Sequence, residues 1–551
     1  MLKLLVLSCS TAVAASRALA GASFLGFNVV NLQSGNFTAD AAYTAATAGA
    51  LQAGVLRFPG GNIADFWDWR VGWCVAAPNA SGCPSCRNPC PSKLRRRTYL
   101  LEEFAVALRA AEALPVYTLN MLTANLTESL AMLAHAESIG ALPRGAYVEL
   151  GGEFYWGKFE GRWATGAAYA AEANTWAAAV RARFPGARAM AVASHSVAMK
   201  DPADRGFLWN EQLYAALDPA AVAGVTLHPY LHLGDAVTGE GPLQPGVGPR
   251  AKGEGPTGWS ANATVQQLNV DLLRSDAGAE ALLGVPFFVA SSAAGNAATH
   301  TPLPPGLRMI VTEYNVMERA GPLKLTWLHA LFTAATAFNL LAVPAVDAVL
   351  LHVLLNGFGW GALYETDADF KGPFGGTPPP GSAATAVGKA GCEVGACAAL
   401  VTEPYAPTAV GTALGALSLA MRGATAATPL DLASGTARNP NRVGANPAGL
   451  PGNVTYPSLL GWRFDGGAAP SNATVLNLSP AALPYAPPPC TAATTWTTPD
   501  AAGGSPVAWA TTSAPVQRRV TACSASGATT LTLPPYSITT VTLLHPSASV
   551  Q

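Results

Sequence analysis

The amino-acid sequence predicts a (β/α)8 barrel followed by a C-terminal β-sandwich. Short apolar runs alternate with alanine-rich stretches of helical character through most of the chain, which is the pattern of successive β-α units around a parallel sheet. Beyond about residue 424 the segments become short, β-rich and separated by turn residues, which predicts a sandwich over 424–551. A doubly wound open sheet is the alternative, but no glycine-rich phosphate turn follows the first predicted strand.

Each predicted strand is a run of apolar, β-branched or aromatic residues that ends at polar or turn residues. The eight runs are ASFLGFNVV (22–30), AGVLRFPGG (53–61), LPVYTLNM (114–121), AYVELGG (146–152), ARAMAVASH (187–195), VAGVTLHPY (222–230), RMIVTEYN (308–315) and VDAVLLHVLL (346–355). Helices are predicted near 39–50, 95–112, 127–138, 165–183, 207–217, 263–283, 323–342 and 407–421. Eight strands with eight helices make one barrel over residues 21–423. Insertions near 71–95, 231–260 and 362–405 interrupt it, and the last two follow the carboxyl ends of strands six and eight, where the substrate loops of barrels lie.

The composition excludes several classes of function. Of 551 residues only 12% are charged and the formal net charge is −1, so the chain offers no basic surface for nucleic acid. The apolar run over 325–355 is interrupted by His329, Asn339, Pro344 and Asp347, so it predicts a buried helix followed by a strand instead of an integral membrane span. No cofactor and no oligomeric state are predicted.

The first 20 residues predict a secretory signal peptide. Lys3 precedes an apolar stretch from Leu4 to Ala15, and Ala18-Leu19-Ala20 is a small-x-small cleavage site that places the mature N-terminus near Gly21. A core strand or a membrane anchor is the alternative reading, although the stretch is too short to span a bilayer. Seven N-glycosylation sequons agree with export, at Asn36, Asn79, Asn125, Asn262, Asn453, Asn472 and Asn477. We therefore expect a secreted glycoprotein, or one delivered to a lysosome- or vacuole-like lumen.

The cysteines predict disulfide bonds. Removal of Cys9 with the signal peptide leaves an even number, namely Cys74, Cys83, Cys86, Cys90, Cys392, Cys397, Cys490 and Cys523. We expect the last two to link strands of the β-sandwich. The spacing of the first four would also suit a zinc site, but no histidine lies near them and the expected compartment is oxidising, so no metal is predicted.

Functional side chains of a barrel gather at the carboxyl ends of its strands. At those ends the sequence places Arg57, Asn62, Asn120, Glu153, His228, Tyr230, Glu313 and Trp360. Glu153 and Glu313 follow strands four and seven, which face each other across the barrel mouth, so carboxylates 313 − 153 = 160 residues apart can converge. Such a pair suits glycoside hydrolysis, with retention at a separation of about 5 Å and inversion at a wider one.

The surroundings of the two glutamates predict different roles. Glu153 follows an apolar strand and precedes Phe154, Tyr155 and Trp156, and a dry setting raises the pKa of a carboxyl, as a general acid requires. Glu313 would stay ionised as a nucleophile if Arg57 and Tyr230 hydrogen-bond it. Aromatic rings that could stack on a sugar are Phe66, Trp67, Trp69, Tyr155, Trp156 and Trp360. Taken one at a time, Arg57 is also typical of a salt-bridge residue, Glu149 of a structural partner for a nearby Lys or Arg, and His228 of a satisfied core histidine.

Four short segments resemble a known family. LRFPGGNIADFWDWR, ELGGE, LHPY and VTEYN are similar to the motif series of retaining glycoside hydrolases of clan A, nearest the α-L-arabinofuranosidase-like and heparanase-like β-glucuronidase families. LPPYSITTVTL is similar to the last strands of their C-terminal β-domain. The resemblance implies a (β/α)8 barrel, an oligo- or polysaccharide substrate, Glu153 as acid/base, Glu313 as nucleophile, and Arg57 with Tyr230 beside the nucleophile.

One position departs from that family. The clan usually has Asn before its acid/base, where it bonds the sugar 2-hydroxyl, and this chain has Gly152. Asn62, Asn120 and Asn315 are candidate substitute donors. Two hypotheses follow. The first is a secreted retaining glycosidase that acts on extracellular or cell-wall polysaccharide. The alternative is a catalytically degenerate glycan-binding or wall-structural protein on the same barrel.

Overall fold

The structure is a computed structural model. It describes residues 16–19, 24–29, 41–74, 100–194, 205–206, 208–231, 283, 302–316, 326–355, 361–363, 405–432, 436–438, 455–466, 471–497, 516–523 and 530–544. Most of the three predicted insertions lies outside these residues.

Eight parallel strands close into a barrel, as predicted. They are β1 (Leu25–Asn28), β2 (Val55–Phe58), β3 (Leu114–Thr118), β4 (Tyr147–Glu149), β5 (Arg188–Val192), β6 (Gly224–Leu227), β7 (Arg308–Val316) and β8 (Val346–Leu351). Each strand pairs with the next in sequence, and β8 returns to β1 through Val349 opposite Leu25. This closure excludes the open sheet. A short strand, Tyr230–Leu231, adds to the far end of β7.

The barrel interior changes from apolar to polar along the strands. Val55, Tyr147 and Ile310 belong to a buried apolar cluster inside the sheet. Because side chains alternate faces along a strand, the residues two positions later face the same interior. Those residues are Arg57, Glu149 and Thr312, all fully buried. The alternation therefore places a charged layer directly above the apolar one, toward the carboxyl ends of the strands.

Seven of the predicted helices are present. They are α1 (Ala41–Ala45), which continues as a π-helical turn over Ala46–Ala50, α2 (Leu101–Ala111), α3 (Leu126–Ser138), α4 (Gly166–Arg183), α5 (Trp209–Ala216), α6 (Trp327–Leu341) and α7 (Ala409–Met421). Side chains of Asn125, Thr165, Thr326 and Thr408 cap the N-termini of four of them. The helix predicted over 263–283 falls outside the described residues, apart from residue 283.

Helix α6 explains the apolar run over 325–355. All of its residues are buried, because the C-terminal sheet covers the side that faces away from the barrel, as the contact between the Phe338 and Phe464 rings shows. The prediction of a buried helix followed by a strand is confirmed. In the described part of the chain, no helix is sufficiently long and apolar to cross a membrane.

The C-terminal part folds into an antiparallel sheet. Its strands are β9 (Ala426–Pro429), β10 (Leu459–Asp465), β11 (Asn472–Asn477), β12 (Cys490–Thr497), β13 (Gln517–Ala522) and β14 (Ser537–Leu543), in the spatial order β9-β10-β11-β14-β12-β13. One face packs on the barrel, and the other, through Val475 and Val541, packs against a two-stranded sheet that contains Leu531 and Leu533. The predicted β-sandwich is therefore confirmed. Cys490 and Cys523 form the predicted disulfide bond.

The edge of this sheet beside β9 comes from the N-terminus. Arg17 and Ala18, within the segment predicted as a signal peptide, pair antiparallel with Ala427 and Ala426. The Arg17 guanidinium donates hydrogen bonds to the backbone carbonyls of Leu341 (3.0 Å), Val343 (3.1 Å) and Val346, which follow from the C-terminal end of α6. Residues from before the barrel are thus part of the folded C-terminal domain.

Candidate active site

A buried ion pair forms the floor of the barrel mouth. Arg57 Nε donates to Glu149 Oε2 at 2.7 Å, and neither side chain is exposed. The hydroxyls of Thr118 (2.7 Å) and Thr312 (2.9 Å) also donate to the Glu149 carboxylate. Burial alone would raise the pKa of Glu149, but the Arg57 and His228 charges and these hydrogen bonds lower it to about 2. Glu149 is therefore a permanently ionised partner of Arg57, the structural role that its place within the strand suggested.

Glu313 lies on β7 directly above this pair. Its Oε1 accepts hydrogen bonds from Arg57 Nη1 (2.5 Å) and Asn28 Nδ2 (3.1 Å), and its Oε2 accepts one from the Tyr230 hydroxyl (2.5 Å). Burial opposes ionisation, yet His228, His352 and Arg57 together hold the pKa of Glu313 well below its usual range. Arg57 and Tyr230 flank Glu313 as the resemblance implied, and Glu313 is an anion at neutral pH.

Glu153 lies on the turn that follows β4 and is bound by polar groups. The Tyr155 hydroxyl donates to Oε1 (3.0 Å), Trp156 Nε1 donates to Oε2 (3.1 Å), and His228 Nδ1 lies 3.2 Å from Oε1. Phe154 points away and packs against Phe159, Trp163 and Tyr169 in the core. The expectation of a dry, apolar setting for Glu153 is therefore wrong, because two of the three neighbouring aromatic residues contact the carboxylate through their polar atoms.

His228 connects the two levels of the site. The Thr312 hydroxyl donates its proton to Glu149, so it accepts from His228 Nε2, which lies 2.9 Å away. Burial would lower the pKa of His228, but Glu313, Glu149 and Glu153 raise it to about 10. A protonated ring then donates from Nε2 to Thr312 and from Nδ1 to Glu153. His228 is a satisfied buried histidine that also orients a carboxylate of the site.

The two glutamates predicted to act together do converge. Carboxylate oxygens of Glu153 and Glu313 and a ring nitrogen of His228 all lie within 4.8 Å of one another. This trio could also be considered as a metal site. However, a protonated imidazole is not a ligand, and the Arg57 guanidinium already binds Glu313, so the electrostatics disfavour a divalent cation.

The remaining predicted site residues either bond groups of the protein or lie outside the described residues. Asn120 bonds Trp67 O, Thr123 and the Ala124 amide, and Asn315 lies between His352 O and His329 Nε2, so both bond protein groups. A substrate role for Asn120 and Asn315 stays a prediction. The same holds for Asn62, whose side chain is not among those that the structure describes. Trp360 and all predicted disulfide cysteines other than Cys74, Cys490 and Cys523 lie outside the described residues, and Cys74 is described only as part of a short strand.

The rings predicted to bind sugar differ in their exposure. Phe66 and Trp67 are buried, and Trp67 packs edge-on against Phe58, so neither offers a ring face to a ligand. Trp156 is 37% exposed beside Glu153 and can present its ring to a saccharide.

Three further residues of the site were not singled out from the sequence. Asn28, at the end of β1, and His352, just after β8, both contact Glu313. Both stand at the carboxyl ends of strands, so the rule that selected Glu153 and Glu313 would also have found them. Asp65, buried in the 3-10 turn after β2, accepts a hydrogen bond from the amide of Gly152 at 3.1 Å. In the sequence, only the place of Asp65 within the segment LRFPGGNIADFWDWR pointed to it.

Comparison with known proteins gives likeness of fold. No protein-family model matches the sequence, and no curated protein matches it. Among solved structures, the chain resembles an α-L-arabinofuranosidase from Thermotoga maritima in complex with arabinose (15% identity, 96% of this chain and 97% of that chain, TM-score 0.54). It also resembles a family 51 α-L-arabinofuranosidase from Bifidobacterium longum (14% identity, 96% and 97%, TM-score 0.57). A third is a 4-O-α-L-rhamnosyl-β-D-glucuronidase from Fusarium oxysporum (14% identity, 96% and 97%, TM-score 0.51). Along almost its whole length, this chain has the (β/α)8 barrel and C-terminal β-sandwich of those structures, two of which are named arabinofuranosidases and one a glucuronidase.

Proposed function

We propose that this protein is a retaining glycoside hydrolase, with Glu313 as nucleophile and Glu153 as general acid/base. The observation that carries the proposal is that one carboxylate oxygen of Glu153 and one of Glu313 lie within 4.8 Å of each other at the mouth of the barrel. Retaining glycosidases hold their carboxyl groups about 5–5.5 Å apart, whereas inverting ones leave about 6.5–9.5 Å for a water molecule. The spacing here supports direct attack on the sugar.

The hydrogen bonds of each glutamate hold its carboxyl group in place for its proposed step. Glu313, ionised and held by Arg57, Asn28 and Tyr230, attacks the anomeric carbon while Glu153 gives a proton to the leaving oxygen. The glycosyl–Glu313 ester is then hydrolysed by a water molecule whose proton Glu153 accepts. Because Tyr155, Trp156 and His228 fix Glu153 in place, the same carboxyl can serve in both steps.

We propose a neutral sugar, with an α-L-arabinofuranoside as the first substrate to test. Two of the similar structures are named as arabinofuranosidases, which suggests that choice. The cations at the base of the site, Arg57 and His228, each face carboxylates of the chain itself. Binding the carboxylate of a uronic acid there would require competition with Glu149, Glu153 and Glu313, which makes a glucuronide the weaker candidate.

The test is an array of aryl glycosides offered to the purified protein and to Glu313→Gln and Glu153→Gln. We expect release from at least one glycoside with retained anomeric configuration, and a loss of about 10⁴-fold or more in Glu313→Gln. Glu137→Gln, on the exposed side of α3, is the matched control and should keep full activity. Sugar binding without turnover by the parent protein would instead establish the glycan-binding alternative, and turnover that survives Glu313→Gln would contradict the proposed mechanism.

We also propose that the protein acts outside the cell or in a lysosome- or vacuole-like lumen. The apolar N-terminal segment supports export, and the disulfide between Cys490 and Cys523 is of a kind that persists in oxidising compartments. Fractionation of cells that express the tagged chain tests this, since recovery in the reducing cytosol would contradict it.

A further inference from the structure

The two glycines before Glu153 are needed for different reasons. Gly151 has a φ of +95°, a backbone conformation that favours glycine. Gly152 has no such φ, so its backbone alone would accept a side chain. What excludes one is space: a Cβ at Gly152 would lie 2.9 Å from Asp65 Oδ1, 3.0 Å from Oδ2 and 3.2 Å from Cγ. The carboxyl group of Asp65 occupies the volume that a side chain at position 152 would take.

Asp65 is held firmly in that volume. It is fully buried, its backbone carbonyl accepts the Thr123 hydroxyl at 2.9 Å, and its Oδ1 accepts the Gly152 amide at 3.1 Å. Its Oδ2 is buried and has no hydrogen-bond partner among the described residues. Burying a carboxylate oxygen without a hydrogen-bond partner costs free energy, and protonation of the carboxyl group reduces that cost. Such a group in a folded protein therefore calls for a functional explanation. The charged groups that face it are Lys158, Glu153 and Glu149.

We propose that Asp65 is a positioning residue for Glu153, which fixes the peptide before the acid/base by its hydrogen bond to Gly152 and adds a negative charge beside the carboxyl that transfers the proton. The proposal rests on the proposed role of Glu153. Burial is the main reason that the pKa of Asp65 is raised to about 7, with Glu153 and Glu149 acting in the same direction. Asp65 therefore gains its charge within the working range of most glycosidases, and that charge acts on Glu153 without contacting the sugar.

Leaving-group dependence separates this role from a purely structural one. A glycoside with a poor leaving group depends on the proton from Glu153, whereas a dinitrophenyl glycoside does not. We expect Asp65→Ala to lose about 10²-fold in kcat/KM on the poor leaving group, the scale of a 1 Å misplacement, and to lose little in kcat/KM on the dinitrophenyl substrate, because kcat/KM reports the first, bond-breaking step. Asp65→Asn keeps an oxygen for the Gly152 amide, so it should recover most of that rate. Asp65→Asn also removes the negative charge that faces Glu153. The alkaline limb of its pH profile of kcat/KM should therefore shift to lower pH. Equal losses on both substrates, or no loss in Asp65→Ala, would overturn the proposal.

Thermal unfolding tests the geometry independently of activity. We expect Gly152→Ala to lower Tm because its methyl group meets the Asp65 carboxyl, and we expect Asp65→Ala/Gly152→Ala to regain part of the loss because the space is then free. If Gly152→Ala is neutral, or if its effect is the same in both backgrounds, the steric part of the proposal is wrong. An inactive parent protein would contradict the proposed function but would leave this coupling measurable. An active parent with unaltered Asp65 variants would contradict the present inference alone.

Discussion

His228 Nδ1 lies 3.2 Å from Glu153 Oε1, and the opposite ring nitrogen, Nε2, lies 2.9 Å from the Thr312 hydroxyl. Through Thr312 the ring reaches Glu149, which in turn binds Arg57. The acid/base candidate is thereby connected to the buried ion pair under the proposed nucleophile, and a change at any of these side chains should be felt at the others.

Replacing His228 should alter the pH dependence of stability. The folded-state pKa of about 10 lies above the value of about 6.5 for a free histidine. The contribution of the charged ring is therefore complete below about pH 6.5 and is lost as the pH rises through 10. We expect the free energy of unfolding of the parent to fall over this range and that of His228→Asn to fall less. Urea titrations at pH 6, 8 and 10 measure it, and parallel curves for the two proteins would contradict the assignment of a charged ring.

Removing Arg57 should destabilise the barrel as well as abolish activity. Arg57→Ala leaves the buried carboxylates of Glu149 and Glu313 without their main counter-charge, which costs about 3–5 kcal/mol in comparable cases. Arg57→Lys keeps the charge but cannot span both carboxylates as the planar guanidinium does. Denaturant unfolding with activity on the same samples tests this. Arg181→Ala, on the exposed side of α4, is a control expected to change neither quantity.

Asn477 should carry no glycan in the folded protein, although it stands in a sequon. It is fully buried, and its amide donates to the carbonyls of Ala481 (2.8 Å), Leu533 (3.2 Å) and Pro534 (2.8 Å). Asn477→Ala leaves these three carbonyls without their hydrogen-bond donor. We therefore expect a loss on the order of 2–3 kcal/mol in the free energy of unfolding. Peptide mass spectrometry of the exported protein measures occupancy, and a glycan found on Asn477 would contradict the burial.

Loss of the disulfide should destabilise the C-terminal sheet. Cys490 and Cys523 are 33 residues apart, and closing a loop of that length contributes about 3–4 kcal/mol by restricting the unfolded chain. The double variant Cys490→Ser/Cys523→Ser is preferable to a reductant, which would act on the other cysteines too. We expect a lower midpoint in denaturant, with kcat of the folded enzyme unchanged. An unchanged midpoint would show that the link adds no stability.

Deleting residues 1–20 should destabilise the fold more than deleting residues 1–15, which keeps Arg17. The longer deletion removes Arg17, which binds three backbone carbonyls at and beyond the end of α6. We expect a cost on the order of 3 kcal/mol from the stranded carbonyls, measured as a lower Tm. A small-x-small pattern also occurs at Ala12-Val13-Ala14, upstream of Arg17. N-terminal sequencing of exported protein should find Arg17 retained, and a mature chain that starts at Gly21 would contradict this prediction.

The sequence is informative where one physical pattern dominates. The strands and helices of the barrel follow from apolar periodicity, and α4, predicted over 165–183, is observed as Gly166–Arg183. Glu153 and Glu313 could be paired because parallel strands of a barrel bring their carboxyl ends together. Arg57 and Tyr230 were expected beside Glu313 from their places at strand ends and from the resemblance, and in the structure both donate hydrogen bonds to Glu313.

What could not be predicted depends on contacts between distant segments. Arg17 lies in a stretch of small and apolar residues typical of a leader, and only its pairing with Ala427 shows it to be a strand. A sequon pattern cannot tell that Asn477 is buried under Leu533 and Pro534. Asp65 is informative only beside Gly152, 87 residues away, because the requirement for glycine there is steric and not conformational.

The continuous packing around α6 has a consequence for the whole molecule. Trp327 and Phe338 of the barrel share one apolar core with Trp462 and Ile538 of the C-terminal sheet, and Trp327 Nε1 donates to the backbone carbonyl of Tyr536. The C-terminal sheet is therefore not an independent module joined to the barrel by a linker. The two halves should melt in a single cooperative transition, and a substitution that unfolds the C-terminal sheet should unfold the barrel with it.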